Sequence, residues 1–391
     1  MNENEIVQNP VAPISTPEVV PTQEEISVPK SNRKIFPLAI ILLLVVVGVL
    51  LVGGGIFYFL KSAQKPVVTA NSGTKQIVIG FSMGTLQEER WQKDKDEFTK
   101  QAKVLGVNVD IQGANNDKDK QISQAESMIA KGVNILVIAP YDATSMVGVI
   151  SDAHKAGIKV ISYDRLTTDS NVDYYVSFDN EKVGQLEAQS VLDSVKDKLG
   201  KGKKLKFAYI GGSTTDNNAL LLKKGSFSFL QPFIDKGEIE IVVDKFSADW
   251  NPDVAYQNLK AYLDSTNGAI DAVVCANDGT AFGAIRALQE HNLAGKIPVS
   301  GQDAELAALQ RIVLGTQTAT VYKPIPREDA AALDMAIKLA NNEKIVTNAK
   351  VNDGKIDVPS ILLEPTLVTK DNIAETVVKD NYHTSAEIYR K

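Results

Sequence analysis

From residue 76 onward the chain repeats one pattern: a short run of β-branched and other apolar residues, a polar or glycine-containing turn, and a longer amphipathic stretch. Short apolar runs predict buried strands, and apolar positions that recur with the period of a helix predict helices. The predicted strands are 77–83, 107–111, 135–139, 159–163, 174–178, 206–210, 239–246, 272–276, 297–300 and 318–322. Predicted helices between them include 88–105, 118–131, 181–199, 252–265 and 280–291.

The regular alternation of strand and helix indicates right-handed βαβ units, which form parallel sheets with helices on both faces. The predicted strands are many for one sheet, and the pattern begins again near residue 205. The sequence therefore predicts an α/β protein with two doubly wound parallel-sheet lobes of similar size.

The residues before this body form three segments of different character. Residues 1–34 are rich in proline and polar residues, which predicts a disordered tail. Residues 35–60 carry no charge and are long enough to cross a hydrocarbon layer, which needs about 20 residues, so we expect a transmembrane helix or signal anchor. Residues 61–75 read as a polar linker. Basic residues before the apolar run favour a cytoplasmic N-terminus and an extracytoplasmic (periplasmic or extracellular) body on a single-pass anchor.

A processed form is the alternative to a retained anchor. Val68-Thr69-Ala70 is an acceptable small-residue cleavage site for a signal peptidase. A lipoprotein is excluded because no cysteine lies directly after the apolar run.

Composition and charge narrow the function. The 391 residues carry a formal net charge of −6, which argues against nucleic acid as a partner because phosphate binding needs clustered basic residues. The chain has three histidines and one cysteine, far apart in sequence, so the usual zinc, redox-dithiol and disulfide patterns cannot be built from them. We expect no metal and no cofactor.

Ligands of doubly wound sheets lie beyond the carboxyl ends of the strands. Polar and aromatic side chains follow these strand ends in both halves of the body: Arg90, Trp91, Asp164, Arg165, Asp216, Asn217, Asn218, Trp250, Asn277, Asp278, Asp303 and Lys323. Planar polar groups suit the hydroxyls of a sugar, and tryptophan rings pack on its C–H faces. The alternative for Asp216, Asn217 and Asp278 is capping of the next helix, and for the two tryptophans it is core packing.

At these residues the sequence resembles a known family. The segments that carry the resemblance are 89–94 (ERWQKD), 163–165 (YDR), 177–184 (SFDNEKVG), 211–213 (GGS), 216–219 (DNNA), 275–278 (CAND), 300–304 (SGQDA), 315–318 (GTQT) and 321–325 (VYKPI). Residues 76–391 resemble the D-xylose-binding proteins of bacterial ABC sugar importers, within the ribose/galactose-type periplasmic binding protein family (type I).

The resemblance implies a monosaccharide ligand, D-xylose first, that is captured between the lobes by hinge closure and delivered to an ABC transporter permease. It implies hydrogen bonds to the sugar from Arg90, Asp164, Arg165, Asn218, Asn277, Asp303 and Lys323. It also implies that Trp91 and Trp250 stack on the sugar, and that Asp216 either contacts it or fixes the loop. Three crossings between lobes, by analogy near residues 181, 323 and 359, would divide the body into an N-terminal lobe (76–181 plus 323–359) and a C-terminal lobe (182–322 plus 360–391).

Two other functions are weighed against this one. Residues 80–84 (GFSMG) match the GxSxG nucleophile elbow of α/β-hydrolases, which makes Ser82 the candidate nucleophile of an esterase. A tethered sugar sensor that signals to a membrane kinase or chemoreceptor would use the same binding chemistry with another partner. A dinucleotide-binding or phosphate-loop enzyme is disfavoured because neither GxGxxG nor GxxxxGK[ST] is present. We therefore expect a sugar-binding protein and not an enzyme.

Overall fold

The computed structural model describes residues 76–390 of the chain. The predicted tail (1–34), membrane helix (35–60) and linker (61–75) lie outside these residues. Within 76–390, no helix combines the length and the apolar character that crossing a bilayer requires. The described residues belong to one compact unit.

Three sheets form the framework of this unit. The strands are β1 Val78–Met83, β2 Asn108–Gly113, β3 Ile135–Ala139, β4 Lys159–Tyr163, β5 Tyr174–Phe178, β6 Leu205–Gly211, β7 Ile239–Phe246, β8 Ala272–Cys275, β9 Ala319–Tyr322, β10 Ala349–Asn352, β11 Asp357–Leu363 and β12 Thr366–Thr369. A seven-stranded sheet has the order β10-β11-β5-β4-β3-β1-β2, a three-stranded sheet the order β7-β6-β8, and β12 pairs with β9. The pairs β10–β11 and β9–β12 are antiparallel, and the other pairs are parallel.

Helices connect most of these strands. They are α1 Glu89–Leu105, α2 Lys118–Ala130, α3 Val147–Lys155, α4 Asn180–Asp193, α5 Asn217–Asp235, α6 Pro252–Thr266, α7 Asp278–Glu290, α8 Leu306–Leu314, α9 Ile325–Ala340 and α10 Ser385–Ile388. Their ends follow the local sequence: Asp117 caps α2 and Asp179 caps α4, whereas α1 ends at Gly106, whose φ of 73° suits a residue without Cβ.

Two apolar layers cover the seven-stranded sheet. Along β3, Ile135, Val137 and Ala139 face the layer that contains α1 and α9, whereas Leu136 and Ile138 face the layer that contains α2 and α3. All five residues of β3 are buried, as expected for a central parallel strand with neighbours on both sides. Each fully buried aliphatic side chain stabilises the fold by about 1.5–3 kcal/mol. The three-stranded sheet is covered in the same way, by α6 and α7 on one face and by α4 and α5 on the other.

We call the seven-stranded sheet with α1, α2, α3 and α9 the first lobe, and the remaining sheets and helices the second lobe. The chain passes between them after β5, after β9 and between β11 and β12. The domain division predicted from the sequence stays a proposal, with one adjustment. A crossing at residue 359 would cut through β11, which pairs with β5 as far as Leu363, so the third crossing follows Leu363.

The predicted α/β alternation and parallel sheets are confirmed, and most predicted strands are present with shifts of one or two residues at their ends. The strand predicted at 297–300 is wrong, because in this stretch only Val299 forms an isolated bridge, to Val273. Pro298 lies in the middle of it and has no N–H to donate to a ladder.

Candidate functional site

Both lobes contribute side chains to one narrow cavity between them. Its lining is Glu88, Arg90, Trp91, Asp164, Arg165, Asp216, Asn218, Trp250, Asn277, Gln302, Asp303 and Lys323. All ten residues predicted from the sequence are in this set. The cavity volume is about 20 Å³, whereas a single water molecule needs about 10–15 Å³. The lobes are therefore drawn closely together around these side chains.

The first lobe presents a central carboxylate, Asp164, directly after β4. Its backbone has a φ of 53°, a left-handed conformation that aspartate tolerates better than most residues. The hydroxyls of Tyr175 and Ser177, both on β5, donate to the Asp164 carbonyl oxygen at 2.7 and 2.8 Å. These two hydrogen bonds fix the turn, so the side chain is aimed at the cavity before any ligand binds.

Asp164 collects cations and an amide. Arg90 Nη1 donates to its Oδ2 at 2.8 Å, Lys323 Nζ donates to the same oxygen at 3.0 Å, and Asn218 Nδ2 donates to Oδ1 at 3.2 Å. Burial alone would raise the pKa of Asp164, but the charges of Arg90 and Lys323 outweigh it and hold the pKa below its ordinary range. Asp164 is therefore ionised at neutral pH.

The second lobe contributes residues at the starts of its helices and after β7. Asp216 caps α5 by accepting from Asn218 N at 2.9 Å, and it also accepts from Trp250 Nε1 at 3.2 Å. Arg165 Nε reaches the same carboxyl across the cavity at 2.8 Å. Capping and cavity lining, which the sequence offered as alternatives for Asp216, are thus both present at this residue.

The two tryptophans have different surroundings. The guanidinium carbons of Arg90 and Arg165 lie 4.3 and 4.9 Å from the Trp91 ring centroid, so Trp91 stacks with cations. Trp250 follows Asp249 in a short turn where both residues have a φ of 57°. Its ring lies against Gly212, where a Cβ would approach the ring to 2.3 Å. Glycine at position 212 therefore makes room for the indole.

Of the adjacent residues Asn277 and Asp278, only Asn277 lines the cavity. Asn277 caps α7 by accepting from Thr280 N at 2.7 Å, and it also lines the cavity. Asp278 lies behind the cavity, where it accepts from Gln317 Nε2 at 2.7 Å and Thr320 Oγ1 at 2.9 Å. Asp278 therefore supports the second lobe and does not line the cavity.

A comparison with known protein families shows which family this chain belongs to. Residues 79–344 match the family described as "Periplasmic binding protein domain". The chain belongs to the periplasmic binding protein family.

Named relatives agree with this membership. This periplasmic binding protein is 46% identical to a D-xylose-binding periplasmic protein of Haemophilus influenzae over 323 residues, which cover 83% of this chain and 95% of the relative. It is 44% identical to a D-xylose-binding periplasmic protein of Escherichia coli over 314 residues, 80% of this chain and 93% of that one. The resemblance to D-xylose-binding proteins expected from the sequence is confirmed.

A solved structure shares the fold. An ABC transporter solute binding protein from Clostridium phytofermentans, with bound β-D-glucose, matches with a TM-score of 0.74 and 29% identity, covering 80% of this chain and 99% of the other. The relatives are named as binding proteins, which confirms the prediction that this periplasmic binding protein is not an enzyme.

The esterase alternative fails on the position of Ser82. This residue lies within β1, is fully buried, and its hydroxyl has no hydrogen-bond partner among the described residues. A nucleophile elbow needs its serine exposed on a sharp turn between strand and helix. In this periplasmic binding protein the GxSxG match is thus part of a core strand.

Two lining residues, Glu88 and Gln302, were not predicted. Glu88 immediately precedes the first segment of the resemblance, and Gln302 lies inside another of its segments beside Asp303. The signal that could have found Glu88 is its position directly before α1, and for Gln302 it is the position beside Asp303. Glu88 Oε2, Gln302 Oε1 and Asp303 Oδ1 are buried acceptors without a hydrogen-bond partner in the described part of the chain. Arg90 Nη1 and Lys323 Nζ lie 3.8 and 3.6 Å from Asp303 Oδ1, beyond hydrogen-bond distance. Buried acceptors need donors, and sugar hydroxyls supply them.

Proposed function

We propose that this periplasmic binding protein captures a monosaccharide, D-xylose first, in the cavity between its lobes and delivers it to an ABC importer. The observation that carries the proposal is the combination, in one cavity, of acceptors that lack a hydrogen bond on Glu88, Gln302 and Asp303 with donors from Arg90, Asn218 and Lys323. A pentose offers hydroxyls that both donate and accept, which this mixed lining requires. The names of the relatives point to the same class of ligand.

In this proposal the lining residues have two kinds of role. Hydrogen bonds to the sugar come from Arg90, Asp164, Arg165, Asn218, Asn277, Asp303 and Lys323. The rings of Trp91 and Trp250 pack on its C–H faces, and Asp216 mainly holds Arg165 and Trp250 in place. Each hydrogen bond to a charged group contributes about 1.5–3 kcal/mol.

Capture proceeds by movement of the lobes. Because lining residues come from both lobes, a sugar that bridges them stabilises the closed arrangement relative to the open one. The permease then receives the closed form. The narrowness of the cavity supports this part of the proposal, since the lobes must separate for a sugar to enter.

We also propose that residues 35–60 hold the protein on the extracytoplasmic face of the membrane. Fractionation of cells with an alkaline wash tests this, because a retained span leaves the protein in the membrane pellet. N-terminal sequencing distinguishes the alternative, a released form that begins after Ala70.

Thermal unfolding of the purified full-length protein with D-xylose, ribose, arabinose, glucose and galactose tests the ligand. A sugar at 100 times its dissociation constant adds about 2.7 kcal/mol to the stability of the bound form. We expect the largest shift with D-xylose. No shift with any of the five sugars would reject the proposed ligand class, and a larger shift with another sugar would reassign the ligand.

A further inference from the structure

A group of buried carboxyl groups lies beneath Arg90, on the side away from the cavity. Asp94 on α1 and Glu328 and Asp329 on α9 are all fully buried. Arg90 Nε donates to Asp94 Oδ2 at 3.1 Å, and Nη2 donates to Asp94 Oδ1 at 3.3 Å and to Glu328 Oε2 at 3.4 Å. The guanidinium of Arg90 is thus held between this cluster on one side and Asp164 on the cavity side.

Of the two cluster carboxyls that contact Arg90, Asp94 makes the stronger contact. Its two oxygens meet two nitrogens of the guanidinium, a bidentate geometry that fixes orientation as well as distance. Glu328 makes a single long contact. Asp94 is also four residues after Arg90 on the same helix, so the pair is set by the helical repeat of α1.

The hydroxyl of Tyr163 bridges two carboxyl groups of the cluster. It contacts Asp94 Oδ1 and Asp329 Oδ1, the latter at 2.8 Å. A hydroxyl has one hydrogen, so it donates to one of these oxygens, and the second contact needs a proton on a carboxyl group. Burial, with the negative charges of neighbouring carboxylates, raises the pKa of Asp329 and Glu328 well above their ordinary values, and burial raises the pKa of Asp94 as well, in keeping with a proton shared within the cluster.

We propose that Asp94, supported by Glu328 and Asp329, is a positioning residue that fixes the guanidinium of Arg90 for the sugar. This inference rests on the proposed function for its effect on affinity. A free arginine side chain loses rotamer freedom when a ligand orders it, and this loss of entropy weakens binding. Two bonds from Asp94 remove that freedom in advance.

The helix that carries Glu328 connects the cluster to the second crossing. Lys323, which also contacts Asp164, lies two residues before α9 begins. The same buried cluster therefore anchors the start of the segment that brings Lys323 into the cavity.

The experiment measures D-xylose binding by titration calorimetry in a double-mutant cycle of Arg90→Lys and Asp94→Asn in the full-length protein. We expect Asp94→Asn to weaken binding about tenfold, because it removes part of a charged hydrogen-bond pair. In the Arg90→Lys background the same substitution is expected to change affinity less than about twofold, because the effect runs through Arg90. The matched control is Asp96→Asn, the same change on an exposed position of the same helix.

A second readout needs no sugar. Trp91 lies against Arg90, so its fluorescence in a Trp250→Phe background reports the position of the guanidinium. We expect Asp94→Asn to alter this emission and Asp96→Asn to leave it unchanged. If Asp94→Asn does not fold, Glu328→Gln removes the second contact and gives the same readouts with smaller changes.

The outcomes separate the two proposals. A wild-type protein that binds no sugar rejects the proposed function, while the fluorescence still tests the positioning role. A folded Asp94→Asn variant with wild-type emission overturns the positioning role. So does an affinity loss that is equal in the wild-type and Arg90→Lys backgrounds, because a purely structural role would act independently of Arg90.

Discussion

The Nε atom of Arg165 lies 2.8 Å from Oδ2 of Asp216, and this buried ion pair joins the first lobe to the second. Burial raises the pKa of Asp216 by more than the charge of Arg165 lowers it, so this pKa lies above its ordinary value. Removing one partner of such a pair leaves the other charge buried without compensation. A substitution that breaks this pair should therefore have a large effect on the free energy of unfolding.

Asp216→Asn should lower the free energy of unfolding by about 3–5 kcal/mol, since the amide leaves the buried guanidinium of Arg165 unpaired. Asparagine keeps the oxygen that caps α5, so the loss reports mainly on the ion pair. Denaturant unfolding measures it. The control, Asp193→Asn, breaks an exposed pair with Lys196 and should change stability by less than about 1 kcal/mol. Equal effects of the two substitutions would contradict the assignment.

Asp164→Asn should weaken D-xylose binding about tenfold to a hundredfold, the range for losing a charged hydrogen-bond partner. Asparagine tolerates the left-handed backbone at this position, so strain adds little. Titration calorimetry gives the dissociation constant. Asp152→Asn, on an exposed part of α3, should bind as the wild type does. An unchanged dissociation constant for Asp164→Asn would remove this residue from the sugar site.

Gly212→Ala should weaken sugar binding because the new Cβ would displace the Trp250 ring. Overpacking of this kind costs about 1–3 kcal/mol. Trp250 emission and calorimetry measure the displacement and the affinity. Gly148→Ala, in α3, is the matched control. No atom lies within 4 Å of the position its Cβ would take, and the higher helix propensity of alanine should leave the free energy of unfolding unchanged or raise it by about 0.5–1 kcal/mol. Wild-type affinity for Gly212→Ala would show that the ring does not contribute.

Stability without sugar should fall as the pH rises from about 4 to 8. Burial raises the pKa of Asp278 to about 7, and burial together with the charges of Asp278 and Asp303 raises that of Glu305 to about 8. Unfolded carboxyls titrate near pH 4, so the folded state binds more protons in this window and loses that advantage as they dissociate. Thermal unfolding at pH 5, 6, 7 and 8 measures the fall.

The variant Asp278→Asn should show a shallower decline, because position 278 no longer titrates. The exposed substitution Asp235→Asn should keep the wild-type slope. A wild-type midpoint that rises between pH 5 and 8 would contradict the assignment of these two carboxyl groups.

The sequence predicts the sheet well where side-chain pattern and burial agree. β3 is buried along its whole length and matches its predicted limits, because a continuous apolar run suits a central parallel strand. The pattern misleads at 297–300, where apolar residues surround Pro298 and pack without forming a ladder. β10, β11 and β12 were not predicted, since an antiparallel pair at the sheet edge lacks the alternation with helices.

The site shows the same division between local and long-range information. Strand ends marked Arg90 and Asp164 as candidates, since their placement follows from topology. The strand-end argument did not separate Asp216, which lines the cavity, from Asp278, which lies behind it, because each lies between a strand and the first turn of a helix. Only the family resemblance selected Asp216 and left Asp278 out. The contact between Arg90 and Glu328 joins residues 238 positions apart and depends on how α1 packs against α9.

The cavity side chains bond to one another, so they compete with the sugar for the same hydrogen-bonding groups. Arg90, Lys323 and Asn218 already bond to Asp164, so an arriving sugar exchanges partners and does not simply add bonds. A deoxy sugar that lacks one hydroxyl would displace an internal contact without replacing it. Sites that hydrogen-bond a hydroxyl reject such analogues strongly, because buried groups are left unpaired. Selectivity among similar sugars then depends on which of the displaced internal hydrogen bonds each sugar cannot replace.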